Sequence, residues 1–251
     1  MTRERPQKQK KKRLDAVLIE RGFFSTRAKA QAAVMAGKVR LPGNDHPKPG
    51  QPTADDSPIE ILEDAVPFVS RGGLKLAAAL DAFPVAVADR IVLDLGASTG
   101  GFTDCLLQRG AAKVYAVDVG HGQLDAKLRA DPRVLCLEKT HARDLTPELL
   151  RGARPDFLVA DVSFISLTKA LPPALAVLAR PCELIVLVKP QFELEPKLVP
   201  KGVVRSEMDR QAALRRVRGA AAALGLTERG MIPSPVKGAK GNIEFLVYLA
   251  G

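Results

Sequence analysis

Tryptophan is missing from this 251-residue chain, and aromatic residues of every kind make up only 4% of it. Such a composition argues against a protein that reads single strands by base stacking alone. Cysteine is nearly as scarce. Cys105, Cys136 and Cys182 are odd in number and lack C-x-x-C spacing. Neither a disulfide framework nor a zinc site is supported, no metal is expected, and a reducing cytoplasm is the expected compartment. No apolar run approaches the roughly 20 residues that span a bilayer, so no stable membrane association is expected. The polar, basic start lacks the apolar stretch of a secretory signal. Nowhere does the chain carry a G-x-x-x-x-G-K-[ST] phosphate loop or a strict G-x-G-x-x-G fingerprint.

Hydrophobic residues at 46% and charged residues at 26% describe a soluble globular chain with ample core. Its length suits one large domain, or one domain plus a small appendage. The net charge is +10, and it is unevenly placed. Seven basic residues stand between Met1 and Arg13 against the single acid Glu4. A block of that kind repels itself, and residues 1–12 are expected to be disordered until they meet a polyanion. A solubilising tail is the plainer alternative.

Residues 13–40 read as two short amphipathic helices. Leu14, Val17 and Leu18 repeat at helical spacing, and Gly22 is placed to close the first helix. Ser25 has the position of an N-cap for the second, whose apolar face would be Ala28, Ala32 and Met35, with Gly37 at its end. Arg21, Arg27, Lys29, Lys38 and Arg40 then turn outward and, with Arg13, are the candidate RNA-contacting cations. A charged surface is most often just a solvated face, but acids are few here, which favours a patch facing a polyanion. Residues 42–58 hold five prolines with Gly43, Asn44 and Gly50, the composition of a loop or hairpin rather than packed regular structure. A short closing strand is expected at 59–62, and a domain boundary near Asp64.

From 64 to 251 apolar strands alternate with helical patterns, which predicts an α/β fold: an open parallel, Rossmann-like sheet covered by helices. Strands are expected at 91–95, 114–118, 134–137, 157–160, 184–188 and 244–249, and helices at 102–109, 167–178 and 208–224. Between the first strand and its helix lies Gly96-Ala97-Ser98-Thr99-Gly100-Gly101. Glycine at the end of a first strand lets a ligand approach the backbone where open sheets bind ligands. Asp118 closes the second strand 22 residues beyond Gly96, near the roughly 20 at which an acid meets a ribose in such folds. The turn has no arginine for a pyrophosphate, and Asp94 just before it offers a carboxylate to a cation or an amine. S-adenosylmethionine, with its sulfonium and α-amino groups, suits that chemistry better than a nicotinamide dinucleotide. Asp161 and Lys189 each follow an apolar strand-like run. Two strand ends of opposite charge can hold each other and tune the lysine.

Two resemblances bear on these residues. Arg13-Leu14-Asp15, Arg21-Gly22, Ser25 with Arg27 and Ala30, and Ala36-Gly37-Lys38-Val39 are similar to the ribosomal protein S-four-type RNA-binding domain over residues 13–63. It is a small α+β fold whose implied task is docking on structured RNA through shape and phosphates. The remainder resembles the TlyA family, whose catalytic half is FtsJ-like. The likeness is carried by Ser70-Arg71-Gly72-Gly73 with Lys75-Leu76, by Asp94 to Asp104 (DLGASTGGFTD) and by Ala116-Val117-Asp118-Val119-Gly120. It continues through Asp161-Val162-Ser163-Phe164-Ile165-Ser166, Val188-Lys189-Pro190-Gln191-Phe192-Glu193, and Gly241-Asn242 with Glu244-Phe245-Leu246.

That resemblance implies an S-adenosylmethionine-dependent 2′-O-methyltransferase acting on ribose of ribosomal RNA, with cytidine as the implied nucleotide and ribosomal RNA or ribosomal subunits as partners. It implies a catalytic tetrad of Lys75, Asp161, Lys189 and Glu244. Lys189 would be the base or steering group, Asp161 and Glu244 would orient the lysines, and Lys75 would hold the hydroxyl or a nearby phosphate. The implied cofactor contacts are Asp94, Gly96, Ser98, Gly100, Gly101 and Phe102 around the amino-acid part, Asp118 and Val119 at the ribose, and His141 and Ala142 on the adenine side. His141 stands where the family usually has Asn, and Ser206 where it tends to have Asp.

Three other readings compete. A binding or ribosome-assembly protein could retain the methyltransferase shell without the reaction, although an intact tetrad and glycine turn argue against it. A membrane-lytic haemolysin needs a membrane-compatible surface. The most apolar helix, 167–178, contains Lys169 and Pro172-Pro173 and fits a buried sheet cover. A base methyltransferase often flips its target into an aromatic pocket, and two lysines suit a hydroxyl better than an exocyclic amine.

Overall fold

Helix caps and two short ladders shape the first of two units, Met1–Arg71, and a long mixed sheet shapes the second, Gly72–Gly251. The computed structural model describes residues 11–24, 26–62 and 67–251. Residues 1–10 of the basic tail, Ser25 as a cap and the expected boundary at Asp64 lie outside the described residues.

In the first unit β1 (Lys11–Arg13) leads directly into α1 (Leu14–Glu20). The left-handed Gly22 closes that helix, its N–H reaching Ile19 O and that of Phe23 reaching Leu18 O, a paired cap that an L side chain adopts only with strain. α2 (Arg27–Met35) is capped by Thr26, whose hydroxyl accepts from Lys29 N–H. β2 (Val39–Arg40), β3 (Pro52–Ala54) and β4 (Glu60–Ile61) complete the unit; β1 pairs with β3 and β2 with β4, both antiparallel. The fully buried Leu14 and Leu18 pack with Ala30, Ala33, Val34 and Val39, each leucine contributing about 2 kcal/mol by leaving water.

Three expectations are corrected here. Lys11 and Lys12 belong to a strand, because β3 offers them a ladder partner inside the proline-rich stretch read as loop or hairpin. Thr53 of that stretch is buried. The inner face of α2 is Ala30, Ala33 and Val34, whereas Ala28, Ala32 and Met35 are exposed. Several alanine faces are available on this helix, and the pairing with α1 selects one that spacing alone did not.

The second unit opens with α3 (Gly72–Ala82) and continues through β5 (Ile91–Leu95), α4 (Gly101–Gln108), β6 (Lys113–Val117), α5 (Ala126–Ala130) and β7 (Val134–Leu137). Then follow β8 (Phe157–Ala160), α6 (Leu167–Ala176), β9 (Glu183–Val188), the single turn α7 (Pro190–Glu193), α8 (Glu207–Ala223), β10 (Thr227–Pro233) and β11 (Phe245–Ala250). The strands order as β10-β11-β9-β8-β5-β6-β7. From β7 to β9 all neighbours are parallel, and β11 runs against both β9 and β10. The sheet is therefore mixed, not all-parallel. β10 escaped the sequence because it is an edge strand carrying Glu228 and Arg229, as edges that avoid further pairing do. β5, β8 and β9 read as nearly unbroken apolar runs because both faces are covered. Leu93, Leu95, Leu158, Ala160, Leu184 and Val186 join Leu167, Ala170, Leu171 and Ala174 of α6 in one core. After β5 the chain turns first to β6 on one side and later to β8 on the other, so the topological switch lies between β5 and β8. Ligands of open α/β sheets gather at the carboxyl ends of such strands.

Candidate active site

Four of the predicted residues fall one step beyond the ends of adjacent strands. Leu95 pairs with Ala160, and Phe245 with Val188. Gly96, Asp161, Lys189 and Glu244 therefore stand at one rim of the sheet, on β5, β8, β9 and the incoming end of β11. Lys75 reaches this rim from α3. It forms a buried ion pair with Glu244, Nζ to Oε2 at 2.7 Å, with side chains 11% and 2% exposed. Lys189 forms the second pair, with Asp161 Oδ1 at 2.6 Å, and also donates to Ser163 Oγ at 2.7 Å. Gln191, two residues beyond Lys189, donates its amide to Glu244 Oε1 at 3.1 Å. Two ammonium and two carboxylate groups are thus linked through a single helical turn.

The glycine turn has a cause beyond the ligand approach that its sequence suggests. A Cβ on Gly96 would stand 2.6 Å from the Asp161 carbonyl oxygen, and its φ is +86°. The close approach of two strand ends, β5 and β8, demands glycine there. Gly100 is also left-handed and precedes α4, whose first residue is Gly101. Phe102 is buried and packs inward, so its main chain is what it retains for a ligand.

Asp94 departs further from expectation. Its side chain is fully buried and takes a 2.6 Å hydrogen bond from Thr103 Oγ1 on Oδ2, while Oδ1 has no partner among the described residues. Burial pushes this carboxyl up to about 7, and the charges of Asp161 and Asp118 add to the push. It is not an open carboxylate offered directly to a ligand, since strand alternation turns it toward α4. The negative charges of Asp161 and Asp118 lie close enough to bear on it, that of Asp161 being paired with Lys189, and an excess of negative charge there favours a cationic ligand.

Asp118 follows β6 and already organises its surroundings. Oδ2 accepts from Ser98 N–H at 2.8 Å and Oδ1 from Gly120 N–H at 2.6 Å. Each carboxylate oxygen keeps further acceptor capacity. Thr140 N–H reaches the Asp118 carbonyl at 3.0 Å, which brings the exposed His141 and half-buried Ala142 to the same side; Val119 is 61% exposed.

Several residues carried no role in the sequence reading. The Glu138 carboxylate accepts from the backbone N–H groups of Gly122, Gln123 and Leu124 and from Arg129. These contacts, the Gly122 N–H first, hold it down at about 2 and pin the loop after Asp118. Ser163 and Gln191 sit in quoted motifs, but their partners lie 26 and 53 positions away. Phe164 is 92% exposed at a φ of 63°. Its ring centroid lies 5.1 Å from that of Phe192, and Lys189 Nζ lies 5.9 Å from the Phe192 ring. An aromatic platform thus borders the lysine despite the low aromatic content.

Of the cations expected to meet RNA, Arg13 and Arg27 converge on the buried Asp15. Arg21 donates to Ser57 O and lies over the Phe23 ring, and Arg40 faces Asp45 at 3.6 Å. Lys29 is exposed and Lys38 half-buried, so Lys38 turns outward only in part.

Residues 68–250 match the FtsJ-like methyltransferase family. The Bacillus subtilis protein YqxC, named as a candidate rRNA methyltransferase, is 47% identical over 241 residues, covering 96% of this chain and 86% of its own. The Mycobacterium tuberculosis 16S/23S rRNA (cytidine-2'-O)-methyltransferase TlyA is 46% identical over 239 residues, covering 94% and 89%. Among solved structures, a Streptococcus thermophilus protein described as a candidate hemolysin superposes with a TM-score of 0.76 at 41% identity, covering 97% of this chain and 89% of that one. With paired lysines and carboxylates at the rim of its sheet, and likeness of this extent, the chain belongs to the TlyA branch of the FtsJ-like methyltransferase family.

Proposed function

We propose that this protein transfers the methyl group of S-adenosylmethionine to a ribose 2′-hydroxyl of ribosomal RNA, on cytidine by likeness to the TlyA enzymes, in the cytoplasm. The observation that carries the reading is the pair of ion pairs, Lys75–Glu244 and Lys189–Asp161, joined at one rim beside the glycine turn.

The acidic crevice around Asp94, Asp118 and Asp161 fits a ligand bearing a sulfonium and an ammonium. Gly96, Ser98, Gly100 and the main chain at Gly101 and Phe102 would hold its amino-acid part, Asp118 with Val119 its ribose, and His141 with Ala142 its adenine. When bound, S-adenosylmethionine supplies a methyl group that is already activated for displacement. The protein's remaining task is to aim an oxygen and dispose of its proton. As a neutral amine Lys189 has two N–H groups and one lone pair; Asp161 and Ser163 would engage the two N–H groups, which leaves the lone pair for the ribose hydroxyl. Lys189 would thus take the proton that this oxygen gives up as it replaces the sulfur on the methyl group. Lys75, fixed by Glu244, steadies the hydroxyl or a neighbouring phosphate. The first unit, with its cations, would dock structured RNA.

A lytic reading finds less support: no helix of the described residues is long and apolar enough to cross a membrane, and the apolar face of α6 is used in the core. The test is Lys189→Ala. Calorimetry should still detect S-adenosylmethionine binding, while transfer of labelled methyl to ribosomal subunits falls about 10²- to 10⁴-fold. Nucleoside mass spectrometry should find the mark on the sugar. Near-normal transfer by the variant would overturn the assignment.

A further inference from the structure

The first unit contains a buried carboxylate that the proposed methyl transfer does not use. Asp15, in the first turn of α1, has no exposed surface. Four hydrogen bonds end on it: Arg13 Nε to Oδ1 at 3.1 Å, Arg13 Nη2 to Oδ2 at 2.9 Å, Arg27 Nε to Oδ2 at 3.2 Å and Gln31 Nε2 to Oδ2 at 2.7 Å. The Arg13 guanidinium foremost holds this carboxyl well below the usual carboxylate range.

Its two arginines are not buried with it. Their side chains remain 52% and 56% exposed. Arg13 lines an open concavity of about 690 Å³ together with Gln31, Lys48 and Gly50. The Arg13 guanidinium lies close over Gly50: a Cβ there would stand 2.8 Å from Arg13 Nη1. Backbone bonds from Leu14 N–H to Gln51 O and from Asp15 N–H to Pro49 O, both 2.9 Å, fasten the concavity to the helix start.

We propose that Asp15 is a positioning residue for RNA recognition: it fixes Arg13 and Arg27 as a rigid pair, beside Lys48, for a backbone phosphate of structured RNA. A free arginine must be ordered when it meets phosphate, at a cost in rotamer freedom; a pair already tethered loses less. The inference rests on the reading of ribosomal RNA as substrate, and it makes a prediction opposite in sign to charge alone. Removing a negative charge near a polyanion site should tighten binding through simple electrostatics. Removing the anchor of two arginines should weaken it.

The experiment is filter binding of deproteinised ribosomal RNA to the full chain, as wild type, Asp15→Asn, Arg13→Ala/Arg27→Ala, and the triple variant. Asp15→Asn is expected to bind about tenfold more weakly. In the background lacking both arginines the same substitution should change nothing. Equal or tighter binding by Asp15→Asn overturns the proposal, and so does an equal loss in both backgrounds, which would mark damage to the fold rather than to the pair. Failure of the parent reading looks different: the wild-type chain would then neither hold nor methylate the RNA.

Discussion

Replacing Asp94 with asparagine should make the protein more stable above neutral pH and less so in acid. The carboxyl is held at about 7 instead of the ordinary 3.8. Keeping it ionised in the folded state therefore costs about 4 kcal/mol at pH 8. The folded chain retains a proton that the unfolded chain has released, so this contribution to stability declines as pH rises from about 4 and levels off above about 7. Asparagine removes that dependence and still offers Thr103 an acceptor. It also puts an amide N–H near the place where Oδ1 has no partner, at a cost of about 1–3 kcal/mol. The wild type should accordingly be the more stable at pH 4, and the variant by about 1–3 kcal/mol at pH 8. For a unit of this size 1 kcal/mol is about 2–4 °C. The difference in melting temperature should then swing by about 10 °C across the range, as read by circular dichroism of both proteins. A difference that stays flat from pH 4 to 8, or is complete by pH 5, would refute the argument. Above pH 7 the variant should also bind S-adenosylmethionine more weakly, because a buried negative charge near Asp118 and Asp161 is gone.

Two further outcomes follow from the same geometry. Lys75→Met should destabilise the protein by about 3–5 kcal/mol by leaving Glu244 buried without its cation. Lys75→Met/Glu244→Gln should lose less than the sum of the two single changes in urea melts, and simple additivity would deny the pairing. Phe164→Ala should leave stability within about 0.5 kcal/mol, since the side chain is almost wholly exposed. If its ring stacks on a base, the KM for RNA should rise about 5- to 150-fold with cofactor affinity unchanged; an unaltered KM would assign the ring no part in recognition.

The order of strand, glycine turn, helix and acid was legible in the chain because each element is local: apolar runs for β5, β8 and β9, glycines between β5 and α4, and Asp118, Asp161 and Lys189 immediately after strands. Family likeness singled out all four of Lys75, Asp161, Lys189 and Glu244; local pattern added only that Asp161 and Lys189 stand at strand ends. Contacts between distant positions were not legible. Which lysine faces which acid depends on the register of β11 against β9, and Lys75 meets a partner 169 positions away. Gly96 reads as a glycine kept for a ligand, and the Asp161 carbonyl against it supplies a further, structural reason. Asp94 looks like an open carboxylate until Thr103 and the helix cover it, and the inner face of α2 is chosen by α1. Periodicity records which side chains prefer to leave water. Ladder hydrogen bonds and packing between remote segments decide where they go, and so tertiary structure alone brought two lysines, two acids, Ser163 and Gln191 to one rim.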